Sequence, residues 1–423
     1  MLNSRSRRPA VLLLWFSVAL IAFFTLRPTE LVYSVPSICV FCGSLGGVDF
    51  LLNVILFVPF GAAARHVLGR HSLAVVLGLA ATLAIEILQW RLIPGRDASV
   101  GDVIANTIGT AYGSWLAIAG VRWVTCSGAA ARRLAVICGL ATAGLLLLSA
   151  FLLLPAEPRF GQYVEWVPDR PNTERFRGHL VAVQLNGRLL RPQETFPSQW
   201  TLDSLTRNLS VQAVLRPPVP PTRRLAIVVR IANGLEEGFL LGQRGNDAVF
   251  RTWSHAARLK LRSISVGLEN AFGDGSAPDE EMGVMVVSGL SQAAAMTLSR
   301  VQARDSAEVT VPRTIGLGWA LIFPWDVALT PAWWPVNALW LCLLVVPVSF
   351  LTWRSGHSAN ARRPSTWWWP LVLVVGSGAG ASLVFGVSPP SAVEWLAVIT
   401  GIATGILLAR WTDPSRPANL SQP

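Results

Sequence analysis

The sequence predicts an α-helical multi-pass membrane protein of about eight spans with an inserted extracytoplasmic β-sandwich domain. Three observations lead to this fold class. The 423 residues are 52% hydrophobic and 14% charged, and the mean hydropathy of +0.48 is too high for a soluble chain of this length. Apolar runs of about 20 residues recur towards both ends of the chain. Between them lies a long segment with the alternating pattern of β-strands.

Eight segments are long and apolar enough to cross about 30 Å of hydrocarbon as helices. They are approximately residues 10–27, 48–66, 72–92, 99–120, 133–154, 333–352, 367–387 and 391–410. The first follows Arg5, Arg7 and Arg8, as in a secretion signal. No small-residue cleavage site follows it, which favours an uncleaved first helix.

Basic residues indicate the orientation of these spans. Arginines precede the first span and follow the second, fourth, sixth and eighth. Because cytoplasmic loops are enriched in Lys and Arg, this pattern places both termini in the cytoplasm and the β-rich segment outside it. Topology thus explains the formal net charge of +11, and no nucleic-acid partner is needed.

The chain divides into three predicted regions. Residues 1–154 hold five spans, residues 155–331 form the inserted domain and residues 332–423 hold three more spans. In the inserted domain, runs such as LVAVQLNGRLL and LSVQAVLRP alternate apolar with polar residues between turn residues, which predicts a sandwich. The acidic loop Gly273–Glu281 has oxygen ligands that suit calcium, but its spacing is not that of an EF-hand and favours a solvated loop.

Polar side chains cluster at the outer ends of spans two, three and four and in the loop before span four. Each of these spans carries two polar residues three or four positions apart, a spacing that puts both on one helix face. Ionisable groups at membrane depth are costly, so they indicate a functional site. The predicted binding residues are Asp49, Asn53, Glu86, Gln89, Arg96, Asp97, Asp102 and Asn106.

Three roles are open for this cluster. It could be a hydrogen-bonded network that only fixes the bundle, since buried polar groups need partners. It could bind a ligand or lipid headgroup, with Arg96 on an anionic group and the carboxylates on hydroxyl groups. It could catalyse, with Glu86 or Asp102 as acid or base, although no nucleophile set lies near. No cofactor is predicted, but a divalent cation would suit the carboxylate oxygens.

Two further patterns leave alternatives open. Cys39 and Cys42 form a CxxC in the first outer loop, which suits a local disulfide, two free thiols, a redox pair or half a metal site. The spacing of Ser99, Asp102, Gly109 and Gly113 recurs in a second set of residues near the C-terminus. That set is Ser391, Glu394, Gly401 and Gly405. It indicates either a degenerate internal repeat or two unrelated helices with small-residue packing faces.

The polar motifs of spans two to four resemble those of the VanZ-like family of bacterial membrane proteins. The pattern is D-x-x-x-N-x-x-x-F-x-P-x-G from Asp49, then E-x-x-Q from Glu86, then Arg96–Asp97, then D-x-x-x-N-x-x-G-x-x-x-G from Asp102. The likeness covers approximately residues 10–125. The family takes its name from a protein linked to resistance to the glycopeptide teicoplanin, so the resemblance implies an envelope context in the bacterial cytoplasmic membrane.

The inserted domain resembles concanavalin-like or LamG-like sandwiches in two stretches, Leu209–Pro217 and Phe239–Trp253. Such sandwiches often bind carbohydrate or protein, an inference from fold alone. Together the two resemblances favour a non-enzymatic protein that binds glycan or lipid-linked envelope material at the outer leaflet. The alternatives are a membrane enzyme acting on such a substrate and a transporter or flippase.

Overall fold

The computed structural model describes eleven stretches of the chain. They are residues 4–27, 43–93, 99–156, 162–170, 173–196, 208–216, 222–233, 236–273, 284–303, 305–356 and 368–412. Helices occupy both ends, and strands occupy the middle. The predictions for Cys39, Cys42, Arg96, Asp97 and most of the acidic loop concern residues outside the described stretches.

The helices coincide with the predicted spans to within a few residues. In the described part of the chain they are α1 Ser4–Thr25, α2 Gly46–Leu68, α3 His71–Leu92, α4 Val100–Thr125, α5 Gly128–Leu153, the short α6 His255–Arg258, α7 Trp334–Gly356, α8 Trp369–Phe385 and α9 Ala392–Trp411. Six of these contain a segment long and apolar enough to cross a membrane, namely α1, α2, α3, α5, α7 and α9. Helix α8 is apolar but shorter, and α4 carries more polar residues. The structure therefore supports six of the eight predicted spans by length and composition.

One compact unit contains α1 to α4. Helix α2 packs along α4, and it also contacts α1 and α3. Gly69 ends α2 in the left-handed region, with φ of 73°, and its N–H donates to the carbonyl of Arg65. The sharp stop lets α3 begin two residues later and return antiparallel. Three consecutive polar helix segments are thereby brought into one bundle.

The other compact unit contains the β-domain and most of α5, α7, α8 and α9. Its two sheets form the predicted sandwich. The first has the strand order β13-β9-β8-β7-β6-β1-β4 and the second β12-β11-β10-β5-β2-β3. The strands are β1 Gln162–Trp166, β2 His179–Leu185, β3 Arg188–Leu190, β4 Thr195–Phe196, β5 Asn208–Arg216, β6 Thr222–Asn233, β7 Glu236–Gly245, β8 Asp247–Thr252, β9 Ser265–Leu268, β10 Met285–Gln292, β11 Ala295–Gln302, β12 Asp305–Pro312 and β13 Ala328–Leu329.

The alternation read from the sequence is the alternation of burial in the strands. In β5, Leu209, Val211, Ala213 and Leu215 are buried, and the residues between them are not. The run LVAVQLNGRLL forms the hairpin β2–β3, whose turn residues Asn186 and Gly187 both have positive φ. After the last long strand, a buried 3₁₀ helix, Ile315–Ile322, leads from the sandwich towards α7.

Candidate functional site

Close packing of α2 and α4 positions the polar cluster. A Cβ on Gly109 would meet the carbonyl oxygen of Val54, and one on Gly113 would meet that of Val58. Only glycine allows the two backbones to approach this far, as in other small-residue helix pairs. The approach brings polar residues of the two helices within hydrogen-bonding distance.

Asn53 and Asp102 form the contact between these helices. The side-chain amide of Asn53 donates to Oδ1 of Asp102 at 3.0 Å, and both residues are half-buried. Asp49 lies one turn before Asn53, in the first turn of α2, and is exposed. Asp102 and Asn53 of the predicted site are thus paired, and the carboxylate of Asp49 lies in the first turn of α2, on the same helix as Asn53.

Glu86 joins α3 to the start of α4. Its Oε2 accepts the backbone N–H of Ser99 at 2.7 Å, and the hydroxyl oxygen of Ser99 accepts the N–H of Asp102 at 3.4 Å. Ser99 is therefore the N-cap of α4, and Glu86 in turn fixes Ser99. The carboxylate of Glu86 is 7% exposed, so it is held inside the bundle rather than on its surface.

The two remaining amides point to different helices. Gln89 donates to the carbonyl of Thr25 at the end of α1, at 2.8 Å. Asn106 donates to the hydroxyl of Thr82 on α3, also at 2.8 Å. Each amide is at least 96% buried, and each has an oxygen without a hydrogen-bond partner among the described residues. For Asn106, one polar atom lacks a partner whichever way the amide is turned.

Residues 4–122 match the family model described as VanZ/LLP1. This part of the chain is a VanZ-like domain. It spans α1 to α3 and nearly all of α4, and it contains all eight predicted binding residues. With the apolar helices, it identifies the chain as a membrane protein. No match was found among curated proteins or among solved structures.

The VanZ-like domain also holds a polar pair that sequence reasoning did not single out. Nδ1 of His71 lies 2.9 Å from the hydroxyl of Ser114. His71 begins α3, and Ser114 lies about three turns beyond Asp102 in α4, so the pair is separate from Glu86 and Asp102. Ser114 is completely buried, and the pair links α3 to α4. Thr25 and Thr82 were missed too, because a threonine in an apolar run carries no signal of its partner.

Among the described residues, no group of three or more His, Cys, Asp or Glu side chains is placed to hold a metal ion. Outside the VanZ-like domain, a cluster of ion pairs lies in the sandwich. Asp326 pairs with Arg244, Arg251 and Arg262. Burial raises the pKa of the Asp326 carboxyl, but the three arginines outweigh it and hold that pKa below its usual value. The cluster therefore remains a set of ion pairs at neutral pH.

Proposed function

We propose that the protein is a binding protein of the bacterial cytoplasmic membrane, and that its VanZ-like domain holds the hydroxyl-bearing headgroup of glycan or lipid-linked envelope material at the outer leaflet. Both termini would lie in the cytoplasm, and the sandwich would lie outside. The eight predicted residues would form the site, with Arg96 on an anionic group of the ligand.

The observation that carries this proposal is the pair of buried amides whose oxygens have no hydrogen-bond partner within the described part of the chain. A buried oxygen without a partner costs about 1–3 kcal/mol. Gln89 and Asn106 each have such an oxygen, and each lies about one helical turn from a carboxylate of the cluster. Glu86 is three residues before Gln89, and Asp102 is four residues before Asn106. A ligand that donates hydroxyl hydrogens would satisfy these oxygens.

A retention experiment tests the proposal. The full chain is reconstituted in nanodiscs made with bacterial lipid extract and a polyprenyl-linked disaccharide, and the bound material is identified by mass spectrometry. The variant Glu86→Gln/Asp102→Asn is expected to retain about tenfold less of the disaccharide lipid, since charge-assisted hydrogen bonds are lost. The control Asp305→Asn/Glu308→Gln makes the same charge change on exposed strand β12 and should retain it fully.

Equal retention by both variants would show that the VanZ-like cluster is scaffold only. Turnover of the disaccharide lipid, or its movement across the bilayer, would instead favour the enzyme or the transporter.

The proposal also extends to glycopeptides, because a protein that holds cell-wall precursors alters their exposure. Cells producing the wild-type chain are expected to tolerate more teicoplanin than cells producing the Glu86→Gln/Asp102→Asn variant.

A further inference from the structure

Helices α7 to α9 repeat the pattern of α2 to α4 at nearly constant distances along the chain. Pro347 in α7 follows Pro59 in α2 by 288 positions, and α7 begins 288 positions after α2. Helix α9 begins 292 positions after α4. The same interval of 292 separates the set Ser99, Asp102, Gly109 and Gly113 from the set Ser391, Glu394, Gly401 and Gly405.

The packing of the two glycine pairs is also the same. Gly109 and Gly113 lie against the carbonyls of Val54 and Val58. A Cβ on Gly401 would lie 2.7 Å from the carbonyl oxygen of Cys342, and one on Gly405 would lie 2.5 Å from that of Val346. Cys342 and Val346 follow Val54 and Val58 by the 288 positions that relate the two prolines. Unrelated small-residue helix pairs would share the motif but not the register of both partners.

Burial follows the same correspondence. In α3 the buried residues include Gly78, Thr82, Glu86 and Gln89. The residues 292 positions later are all buried in α8: Pro370, Val374, Gly378 and Ala381. The five buried residues after the middle of α2 have buried counterparts in α7 as well: Val345, Val348, Ser349, Leu351 and Thr352. Along these stretches the two sets of helices therefore bury the same faces.

In the second set of helices, a segment of the chain itself occupies the place that corresponds to the candidate binding site. The counterpart of Asp102 is Glu394, which accepts a hydrogen bond from the hydroxyl of Thr314. The counterpart of Asp49 is Asn337, whose Oδ1 accepts the indole N–H of Trp319 at 2.8 Å. The counterpart of Glu86 in α8 is Gly378. The Cδ1 atom of Ile315 lies 3.2 Å from where a Cβ on Gly378 would stand, so Ile315 occupies the space of the absent side chain. Thr314 to Trp319 come from the end of the sandwich.

We propose that α5, α7, α8 and α9 are a second, degenerate copy of the VanZ-like four-helix unit, whose binding site is plugged by the chain's own segment 314–319, and that the first copy binds the uncharged, hydroxyl-bearing part of a headgroup in the same place. The first copy is α1 to α4. Helix α5 takes the place of α1, because Leu146 packs in one cluster with Val345 and Val348, as Ile21 packs with their counterparts Phe57 and Phe60. The sandwich is then an insertion between the first two helices of the second copy, and its exit segment is the plug. The ligand assignment rests on the proposed function, and the plug does not.

The plug indicates what the first copy accepts. Its Thr314 and Trp319 present one hydroxyl and one N–H to a carboxylate and an amide, with an apolar side chain between them. In the first copy, carboxylates stand at both acceptor positions, Asp102 and Asp49. Four residues of the second copy, Leu341, Val374, Gly378 and Val398, line an apolar cavity beside Ile315. Their first-copy counterparts are all polar: Asn53, Thr82, Glu86 and Asn106.

This exchange of apolar for polar residues favours a ligand with several hydroxyl groups. Carboxylates accept hydrogen bonds and repel phosphate oxygens. A sugar headgroup fits these acceptors, because each of its hydroxyl groups can donate a hydrogen bond. A bare phosphate headgroup does not.

Crossed variants at equivalent positions test both parts of the proposal in the full chain in phosphatidylcholine nanodiscs. Glu394→Gln is expected to speed amide hydrogen exchange of the peptide containing 314–319 about tenfold, because the plug loses a charge-assisted hydrogen bond. Asp102→Asn should leave that exchange unchanged. Thr314→Val removes the same contact from the other side and serves if Glu394→Gln fails to fold. Unchanged exchange in Thr314→Val would overturn the plug, whatever the chain binds.

Binding is measured by native mass spectrometry with an uncharged alkyl glycoside and, separately, with phosphatidic acid. Wild type is expected to retain one alkyl glycoside and at least about tenfold less phosphatidic acid. Asp102→Asn should lose the glycoside, and Glu394→Gln should keep it. Loss of the glycoside in Glu394→Gln alone would overturn the assignment of the site to the first copy. Equal retention of phosphatidic acid would overturn the ligand class while leaving the plug intact.

Discussion

At the scale of single residues, the candidate site depends on the absence of a side chain at Gly113. A methyl group there would overlap the carbonyl of Val58, so α2 and α4 would have to separate. We expect Gly113→Ala to lower the free energy of unfolding by about 1–3 kcal/mol, as overpacking does. Thermal unfolding of the full chain in detergent measures this change.

Gly120 provides the matched control on the same helix, because no atom of the described residues lies within 4 Å of where its Cβ would stand. Replacing it with alanine should leave stability unchanged or raise it by up to about 1 kcal/mol, since glycine weakens a helix interior. If both substitutions gave the same melting temperature, the close approach of α2 and α4 would be disproved.

The pair Thr82 and Asn106 gives a second prediction at the scale of residues. Its second-copy counterparts are Val374 and Val398. Replacing both partners of a buried hydrogen bond with apolar groups of similar shape is nearly neutral or stabilising. We expect Thr82→Val/Asn106→Val to melt no lower than wild type but to lose the alkyl glycoside measured by native mass spectrometry.

A loss of both folding and binding in this double variant would mean that the pair is structural. The comparison therefore separates two roles that the sequence left open.

The partners of these polar residues could not be predicted from the sequence. Helical spacing grouped Glu86 with Gln89, but their partners, Ser99 and Thr25, lie in different parts of the bundle. Periodicity identifies a polar face and does not identify what that face meets.

At the scale of elements, the contact between α5 and the short helix α6 makes part of the stability depend on pH. The ring of His255 stacks on Phe151 with centroids 4.4 Å apart. Burial, and then the charge of Arg258, lowers the pKa of His255. The folded chain therefore favours the neutral ring, and stability is lost as the pH falls below the unfolded value of about 6.5.

His255→Phe keeps the stacking and removes the titration. We expect wild type to lose melting temperature between about pH 7 and pH 5, and His255→Phe to lose less over the same interval. Differential scanning calorimetry of the full chain at the two pH values measures both changes. An identical pH dependence in the two proteins would exclude His255 as a source of acid sensitivity.

Elements were predicted better than their contacts. The eight long helices lie where the apolar runs predicted, and runs such as LSVQAVLRP are strands, because hydrophobic length and alternation are local properties. Segment 314–319 was not recognised, since its role depends on α7 and α9, which follow it in the chain. In the sequence, Glu394 appeared only as part of a repeated spacing. Its hydrogen bond with Thr314 joins residues 80 positions apart, so it depends on tertiary structure.

At the scale of the whole molecule, the topology depends on α4. Its polar residues keep it out of the group of strongly apolar helices, so hydropathy alone does not assign it a crossing of the membrane. A repeat of two four-helix copies requires it to cross. If α2, α3, α4 and α5 all cross, the connection before α2 and the sandwich lie on the same side of the membrane. If α4 does not cross, they lie on opposite sides.

Single-cysteine labelling decides between these topologies. In a chain with its five native cysteines replaced, we expect Ser44→Cys and Ser306→Cys to react with a membrane-impermeant maleimide on intact spheroplasts. His66→Cys, beyond one crossing, should react only after lysis. Because the three positions are all exposed, differences in labelling report the side of the membrane and not burial. Labelling of Ser44→Cys without Ser306→Cys would mean an odd number of crossings between them, and the sandwich would then face the cytoplasm, away from any envelope polymer.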